Sequence, residues 1–194
     1  MKEVVTVPNN FVTVFHSLTA DLGIGTPWPK PSGYVPEYAD QAILVWGGGS
    51  SVGQFAIQIL KFYGYTNILT TASARHHDKL RSYGAKHMLD YNSVSVIKDI
   101  LNVSGSEGVK KVLDCIGSKD RSIAPIAKIA KNGARVAVML PVIVRNSSEE
   151  HEPIYSMEVG EEATWEKGVE PRGVRTHFYL EVSWVFFFRT QVKT

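Results

Sequence analysis

The sequence predicts an α/β fold in which helices cover both faces of a doubly wound parallel sheet. From residue 41 onward, short apolar runs alternate with segments whose apolar residues recur at helical spacing. A glycine-rich stretch, VWGGGSSVG at 45–53, follows the first apolar run and precedes the first helical segment. Strand–helix alternation of this kind is typical of βαβ units, whose right-handed crossovers build a parallel sheet.

Composition excludes several classes of function. The 194 residues are 44% hydrophobic and 21% charged, enough for one substantial core, and the net charge of +2 is too small for nucleic-acid binding. Cys115 is the single cysteine, which excludes a disulfide framework or a four-thiolate zinc site and favours a reducing, cytoplasmic compartment. No apolar run reaches the roughly 20 residues that span a bilayer, and no signal-peptide pattern opens the sequence. We therefore expect no metal, membrane or nucleic-acid ligand.

Residues 1–40 predict a leading helix and a connector. The run NNFVTVFHSLTADLG has apolar residues at helical spacing, a good N-cap at Asn9 or Asn10, and an end at Gly23. The following IGTPWPKPSGYVPEYAD holds four prolines and two glycines, which predicts irregular backbone. The nucleotide-binding domain is then expected to occupy residues 41–194.

Five strands and their helices are predicted in the next hundred residues. The segments read AILVWG, SVGQFAIQILKFYG, NILTTA, ARHHDKLRSYG, HMLDY, SVSVIKDILNV, VKKVLDCIG, DRSIAPIAKIAKNG and ARVAVML. Beyond an acidic stretch, the aromatic and β-branched THFYLEVSWVFFF at 176–188 predicts a sixth strand. An apolar edge strand either pairs with a second copy, giving a homodimer through residues 177–187, or is covered by the acidic stretch.

The glycine-rich stretch predicts a dinucleotide-binding turn, because it lies between the first strand and the first helix. The G-x-G-x-x-G fingerprint aligns with Gly48, Gly49, Ser50, Ser51, Val52 and Gly53. Ser50 replaces the middle glycine, and its hydroxyl could donate to a phosphate oxygen beside the helix N-terminal N–H groups. Gly53 would allow close packing of helix on strand. The alternative is a tight turn that binds no ligand.

The same letters, GSSVG, also spell the G-x-S-x-G elbow of α/β hydrolases. In that alternative, Ser51 would be the nucleophile of an esterase, with Asp114 and either His151 or His177 as partners. The sequence offers no credible oxyanion-hole loop before the elbow, which favours the dinucleotide interpretation.

The end of the second predicted strand indicates which dinucleotide is bound. NAD-binding domains place an acidic residue about 20 residues after the glycines, where it accepts hydrogen bonds from the ribose 2′-OH. Ser73 stands at this position, followed by Arg75, His76, His77 and Lys79. Donors and positive charge suit a 2′-phosphate, so the sequence favours NADP(H) over NAD(H). The alternative is a solvated first turn of a helix.

Four segments together resemble the cofactor domain of medium-chain dehydrogenase/reductases, the zinc-binding dehydrogenase-like proteins. They are VWGGGSSVGQFAIQILKFYGY, TASARHHDKLRSYGAKHMLDYN, VLDCIGS and NGARVAVMLP. Their order and spacing are similar to the zinc-independent quinone and enoyl reductase branch common in fungi. The resemblance implies a Rossmann domain of strand order 3-2-1-4-5-6 and, in the complete protein, hydride transfer from NADPH to an activated double bond or quinone.

Family members carry a GroES-like catalytic domain before this point, and we expect it to be absent here. The chain would then bind the cofactor but be a weak catalyst. The alternative is a non-catalytic dinucleotide-binding or redox-sensing module. The substrate and the catalytic residues are not identifiable from the sequence.

The resemblance also implies cofactor contacts from the leading helix and from residues that follow the strands. They are Thr13 of the helix, Tyr91 after the third strand, Cys115 and Ile116 after the fourth, and Leu140 and Pro141 after the fifth. Tyr91 would close over the adenosine phosphate, and the later residues would lie along the ribose and nicotinamide. The alternatives are that Tyr91 seals the edge of the sheet and that Cys115 is a small core residue. Thr13 would face the nicotinamide, although Val14 replaces the alanine of the family's helix motif. The alternative is that Thr13 serves packing of the partly buried helix face.

Overall fold

The computed structural model describes residues 7–105 and 108–176, and its main element is a six-stranded parallel sheet. The strands are β1 Ile43–Trp46, β2 Ile68–Thr71, β3 His87–Leu89, β4 Val109–Asp114, β5 Ala130–Met139, β6 Val142–Arg145, β7 Ile154–Ser156 and β8 Glu170–Val174. The order across the main sheet is β3-β2-β1-β4-β5-β8, and all five pairings are parallel. The predicted doubly wound topology is confirmed.

Helices cover both faces of this sheet, as the sequence predicted. They are α1 Val7–His16, α2 Ser51–Tyr63, α3 His77–Tyr83, α4 Val96–Ser104 and α5 Ala124–Ile129. Val14 of α1, Leu60 of α2 and Leu80 of α3 belong to one buried cluster on one face of the sheet. Ile100 and Ile126, from α4 and α5, belong to a second cluster on the other face.

β1 lies at the centre of the sheet and is buried on both faces. Ile43 and Val45 face the first cluster, whereas Leu44 and Trp46 face the second. A parallel strand covered by helices on both sides needs apolar residues at consecutive positions, which explains the unbroken ILVW run.

The leading helix differs in its start from the predicted one. α1 begins at Val7, so Asn9 and Asn10 lie inside the helix instead of capping it. Pro8 can occupy the first turn because the N–H groups there have no intrahelical partner. The helix continues as a π-helical turn to Asp21, and Gly23 follows with φ of 63°. Residues 24–40 contain neither helix nor strand.

The sixth strand of the sheet is not the predicted one. β8, with the sequence EPRGV, occupies the place beside β5, and residues 177–188 of the predicted strand lie outside the described residues. Pro171 is compatible with an edge strand because one side of the strand needs no ladder hydrogen bonds. At Gly173, a Cβ atom would lie 2.6 Å from Cδ1 of Leu140. This close approach explains the glycine at position 173. The predicted dimer through 177–187 also lies outside the described residues.

A two-stranded antiparallel hairpin, β6 and β7, stands between β5 and β8 in the chain and was not predicted. Its connecting loop is acidic and exposed, so the sequence pattern there indicated only a loop. In the part of the chain that the structure describes, no helix is long and apolar enough to cross a membrane.

Candidate functional site

The glycine-rich turn follows β1 at the carboxyl edge of the sheet. Gly47 has a φ of 85°, a conformation that glycine adopts without strain. The N–H of Gly47 donates to Oγ1 of Thr71 at 3.0 Å, and the N–H of Gly48 donates to the carbonyl of Thr71 at 2.9 Å. Thr71 ends β2, so two hydrogen bonds fix the turn against the neighbouring strand.

Helix α2 approaches this turn very closely at Gly53. A Cβ atom there would lie 2.5 Å from the carbonyl oxygen of Gly47 and 2.7 Å from Cα of Gly48. A Cβ on Gly48 would in turn collide with the Thr70 side chain, which donates to the carbonyl of Val45. Glycine is therefore required for the close contact between helix and strand, as predicted for Gly53.

Ser50 caps α2, which differs from its predicted role. Its hydroxyl donates to the carbonyl of Gly47 at 2.8 Å and accepts from the N–H of Gly53 at 3.1 Å. The hydroxyl proton of Ser50, which was predicted to bond a phosphate oxygen, is therefore donated to the carbonyl of Gly47. The first-turn N–H groups of Ser51 and Val52 have no intrahelical acceptor, since the ladder starts with the bond from Gln54 to Ser50. Amides at such a helix N-terminus can bind an anion.

The residues predicted to select the cofactor lie beside the turn, after β2. Ser73 precedes a 3₁₀ turn, Ala74–His76, and its hydroxyl makes no capping bond. Arg75 is exposed, and its Nε donates to Nε2 of His76 at 3.2 Å. The His76 ring faces the glycine turn, because a Cβ on Gly49 would lie 3.3 Å from its Cδ2 atom. Arg75 and His76 are thus brought together next to the glycines, and Ser73 lies directly before their turn in the chain.

Two other members of the predicted set are directed elsewhere. The Nζ of Lys79 lies 5.6 Å from the ring centroid of Tyr83, one turn further along α3. Nε2 of His77 lies 3.0 Å from the carbonyl of Ala72. His77 therefore secures the end of β2, while Lys79 stays exposed on the helix.

Tyr91 lies at the mouth of a cleft of about 500 Å³ between α4 and α5. The buried Trp46, at the end of β1, also lines this cleft, as do the charged residues Asp120, Arg121 and Lys128. Tyr91 is 45% exposed, and its role as a cofactor contact stays a prediction.

The residues after β4 contact the glycine turn. Cys115 lies beside Gly47, where a Cβ would be 3.6 Å from its Cβ atom. Burial raises the pKa of its thiol, as does the nearby Asp114 carboxylate. The Ile116 side chain lies against Gly47, where a Cβ would be 2.6 Å from its Cδ1 atom. The structure therefore joins two of the predicted cofactor residues to the predicted phosphate-binding turn.

The remaining predicted residues lie further along the same edge. Leu140 packs on Gly173, and Pro141 is exposed after β5. On α1, Oγ1 of Thr13 accepts a hydrogen bond from Oγ1 of Thr176 at 3.3 Å. Because Thr176 follows β8 and the strands are parallel, Thr13 also lies at the carboxyl edge.

Asp114, the last residue of β4, is fully buried. Burial raises the pKa of its carboxyl to about 6 from 3.8, although hydrogen bonds from Ser122, Ile116 and Gly117 act in the opposite direction. The folded protein therefore binds this proton more tightly than the unfolded chain does. Such a group stabilises the fold fully below the unfolded pKa, and that stabilisation is lost as the pH rises through the folded pKa.

We expect this linkage to be measurable with Asp114→Asn, which cannot titrate. The free energy of unfolding of the parent chain, minus that of Asp114→Asn, should fall by about 2 kcal/mol from about pH 4 to about pH 7. Denaturant unfolding at each pH measures it, with Asp120→Asn, at an exposed carboxylate, as the control. A difference independent of pH would show that Asp114 titrates at an ordinary pKa.

The hydrolase constellation is not assembled in the described part of the chain. Ser51 has no hydrogen bond to a histidine among these residues, and Asp114 is bound to the Ser122 hydroxyl. His151 lies in the exposed hairpin loop, and His177 lies outside the described residues. Within the same ranges, no group of three or more His, Cys, Asp or Glu side chains could hold a metal ion.

Three contributors to the site were missed from the sequence. Gly47 supplies the positive φ, Thr71 fixes the turn, and Ser122 binds the buried carboxylate of Asp114. The paired threonines that end β2 were a usable signal, because a hydroxyl at a buried strand end needs a hydrogen-bond partner. Nothing in the local pattern distinguishes Ser122 from an ordinary helix-start serine.

Comparisons with known proteins give a consistent result. Residues 51–146 match the family described as zinc-binding dehydrogenase. The trans-enoyl reductase mpsG of Macrophomina phaseolina is 38% identical over 128 residues, covering 66% of this chain and 34% of its own length. The uncharacterized protein YLR460C of Saccharomyces cerevisiae is 30% identical over 152 residues, 78% of this chain and 38% of its own. The chain thus spans little more than a third of these relatives.

Solved structures share the fold. The CurK enoyl reductase superposes with a TM-score of 0.68 at 20% identity, over 97% of this chain and 50% of that one. A putative NADPH:quinone reductase from Bacillus thuringiensis gives 0.63 at 14% identity, over 93% and 48%. Together the matches support a cofactor-domain segment of the medium-chain dehydrogenase/reductase superfamily. The predicted resemblance to its enoyl reductase branch is confirmed.

Proposed function

We propose that this chain binds NADP(H) and serves hydride transfer to an activated carbon–carbon double bond or quinone in an enoyl reductase-like oxidoreductase. The observation that carries the proposal is the contact at Gly53, which brings the free amides of Ser51 and Val52 to the carboxyl edge of the sheet. Relatives whose names specify trans-enoyl reductases support the reaction class.

The residues at this edge fit a dinucleotide. The α2 amides would hold the pyrophosphate, and Ser73 with Arg75 would hold the 2′-phosphate. Ile116, Leu140 and the region of Thr13 would line the nicotinamide half. The bound cofactor supplies the hydride, while the protein orients it and excludes water.

The preference for NADP(H) rests on the end of β2. An acidic residue for the ribose 2′-OH is replaced by Ser73, whose hydroxyl makes no capping bond. Arg75 is exposed within the 3₁₀ turn, and its guanidinium lies next to the His76 ring that borders Gly49. A 2′-phosphate at this place would accept charge-assisted hydrogen bonds that a 2′-OH cannot match.

We therefore expect NADPH to bind about tenfold more tightly than NADH, and Arg75→Ala to narrow that ratio to about threefold or less. Titrations followed by nicotinamide fluorescence measure both affinities. Arg145→Ala serves as the control, since Arg145 is an exposed arginine of the β6–β7 hairpin whose guanidinium donates to the carbonyl of Glu152. Equal affinities for the two cofactors in the parent chain would exclude the assignment of a 2′-phosphate site.

A second candidate function is a non-catalytic dinucleotide-binding or redox-sensing module. It is favoured by the coverage of the matched relatives, because this chain spans 34% of the length of the trans-enoyl reductase mpsG. The two candidates differ in turnover and not in binding.

Two other parts of the proposal rest on the sequence alone. We place the protein in the cytoplasm, where NADPH is available and the lone thiol of Cys115 stays reduced. We also propose a homodimer through residues 177–187, which sedimentation of the full chain and of a chain ending at Thr176 would test. We propose in addition that the substrate of the complete reductase is a small molecule.

A further inference from the structure

The carboxylate of Asp114 organises the short turn that follows β4, residues 115–117. Oδ1 accepts the N–H groups of Ile116 at 2.9 Å and of Gly117 at 3.2 Å. Oδ2 accepts the hydroxyl of Ser122 at 2.6 Å. One buried side chain thus ties the backbone of this β4 turn to the helical segment that leads into α5.

Ser122 is itself held in place by backbone groups. Its hydroxyl accepts the N–H of Ser118 at 2.9 Å and lies 3.0 Å from the carbonyl of the same residue. The hydroxyl and the carboxylate are both fully buried, so water cannot replace either partner. Loss of one would leave buried polar groups unpaired, which costs more than the bond itself contributes.

The β4 turn touches the glycine turn at two points. A Cβ built on Gly47 would lie 2.6 Å from Cδ1 of Ile116 and 3.6 Å from Cβ of Cys115. The N–H of Cys115 also donates to the carbonyl of Trp46 at 2.9 Å. The β4 turn is therefore packed against the glycine turn.

The sheet order separates the two halves of the proposed site. β2, which ends near the candidate 2′-phosphate residues, and β4 lie on opposite sides of β1. A dinucleotide that crosses the edge from the β2 side places its adenosine end away from the β4 turn and its nicotinamide half over it.

We infer that Asp114 and Ser122 are positioning residues, which hold the β4 turn in the form that accepts the nicotinamide half of the cofactor. This inference rests on the dinucleotide binding proposed above. On the two neighbouring strands, the residues in register with Asp114 are Trp46 of β1 and Val138 of β5, and neither is titratable. Among the described residues, the titratable group that interacts with it is the thiol of Cys115.

The test compares two probes, NADPH and adenosine 2′,5′-bisphosphate, which lacks the nicotinamide half. Ser122→Ala should weaken NADPH binding about tenfold and change binding of the bisphosphate by less than about twofold. Asp114→Asn, which keeps its shape and an acceptor oxygen, should show the same selectivity with a smaller loss. Ile126→Val, a core change on α5, is the control for general loosening of that helix.

The selectivity between probes is the readout that a purely structural role would not produce. Equal weakening of both probes by Ser122→Ala and Asp114→Asn, or no change in either, would overturn the inference while leaving the proposed function intact. Failure of the parent chain to bind NADPH and the bisphosphate would overturn the proposed function and this inference with it. If Ser122→Ala does not fold, Asp114→Asn alone decides between these outcomes.

Discussion

Gly53→Val is expected to reduce NADPH affinity by at least about 100-fold while the chain still folds. Even a Cβ atom at this position would lie 2.5 Å from the Gly47 carbonyl oxygen and 2.7 Å from the Cα of Gly48. Both neighbours are backbone, so the helix must move away from β1. The amides of Ser51 and Val52 move with it and lose their orientation toward the pyrophosphate.

Fluorescence titration with NADPH measures this loss, and circular dichroism with thermal unfolding reports whether the fold is kept. Gly53→Ala provides a milder version of the same change. Gly160→Ala is the matched control, because a Cβ there meets nothing within 4 Å. A folded Gly53→Val protein with unchanged affinity would mean that the glycine turn serves structure alone, and dinucleotide binding would have to be abandoned.

The second prediction with a large expected effect is the rate of NADPH oxidation by these 194 residues when they are tested without any additional domain. We expect them to bind NADPH but to oxidise it at a rate several orders of magnitude below the typical enzyme value of about 10 per second. Correct positioning of reactants is worth about 7 to 11 kcal/mol of the barrier. The enoyl reductase relative from Macrophomina phaseolina is about three times as long as the segment matched here, which covers 34% of it. We propose that the additional part builds the substrate pocket.

Steady-state NADPH oxidation with quinones and α,β-unsaturated carbonyls measures the effect. The positive control is the same assay on this chain fused to a GroES-like lobe. The fusion should oxidise NADPH at a rate typical of an enzyme, while its affinity for NADPH stays unchanged. Fast turnover by the 194 residues alone would contradict the expectation. The region around Thr13, Leu140 and Pro141 would then have to form the substrate pocket itself.

The elements that the sequence predicted well are those governed by local patterns. The ILVW run required a strand buried on two faces, and the change from apolar run to glycines to helical spacing located α2 within a residue or two. Ser73 in place of an acidic residue was visible at once, because the position is counted from the glycines. The misplaced sixth strand shows the limit, since EPRGV has no strand pattern of its own and depends on β5 and Leu140.

By itself, the sequence determined the α/β class, the parallel sheet and the turn after β1, since periodicity and glycine placement act over neighbouring residues. The tertiary structure alone decided which side chains meet at the carboxyl edge. It placed His76 against Gly49, Thr13 beside Thr176, and Ser122 on the carboxylate of Asp114. These contacts join residues at the ends of different elements, so they depend on how strands are ordered and helices are packed. A buried carboxylate finds its hydroxyl only after the sheet has formed, because burial in the folded core is what makes that hydrogen bond necessary.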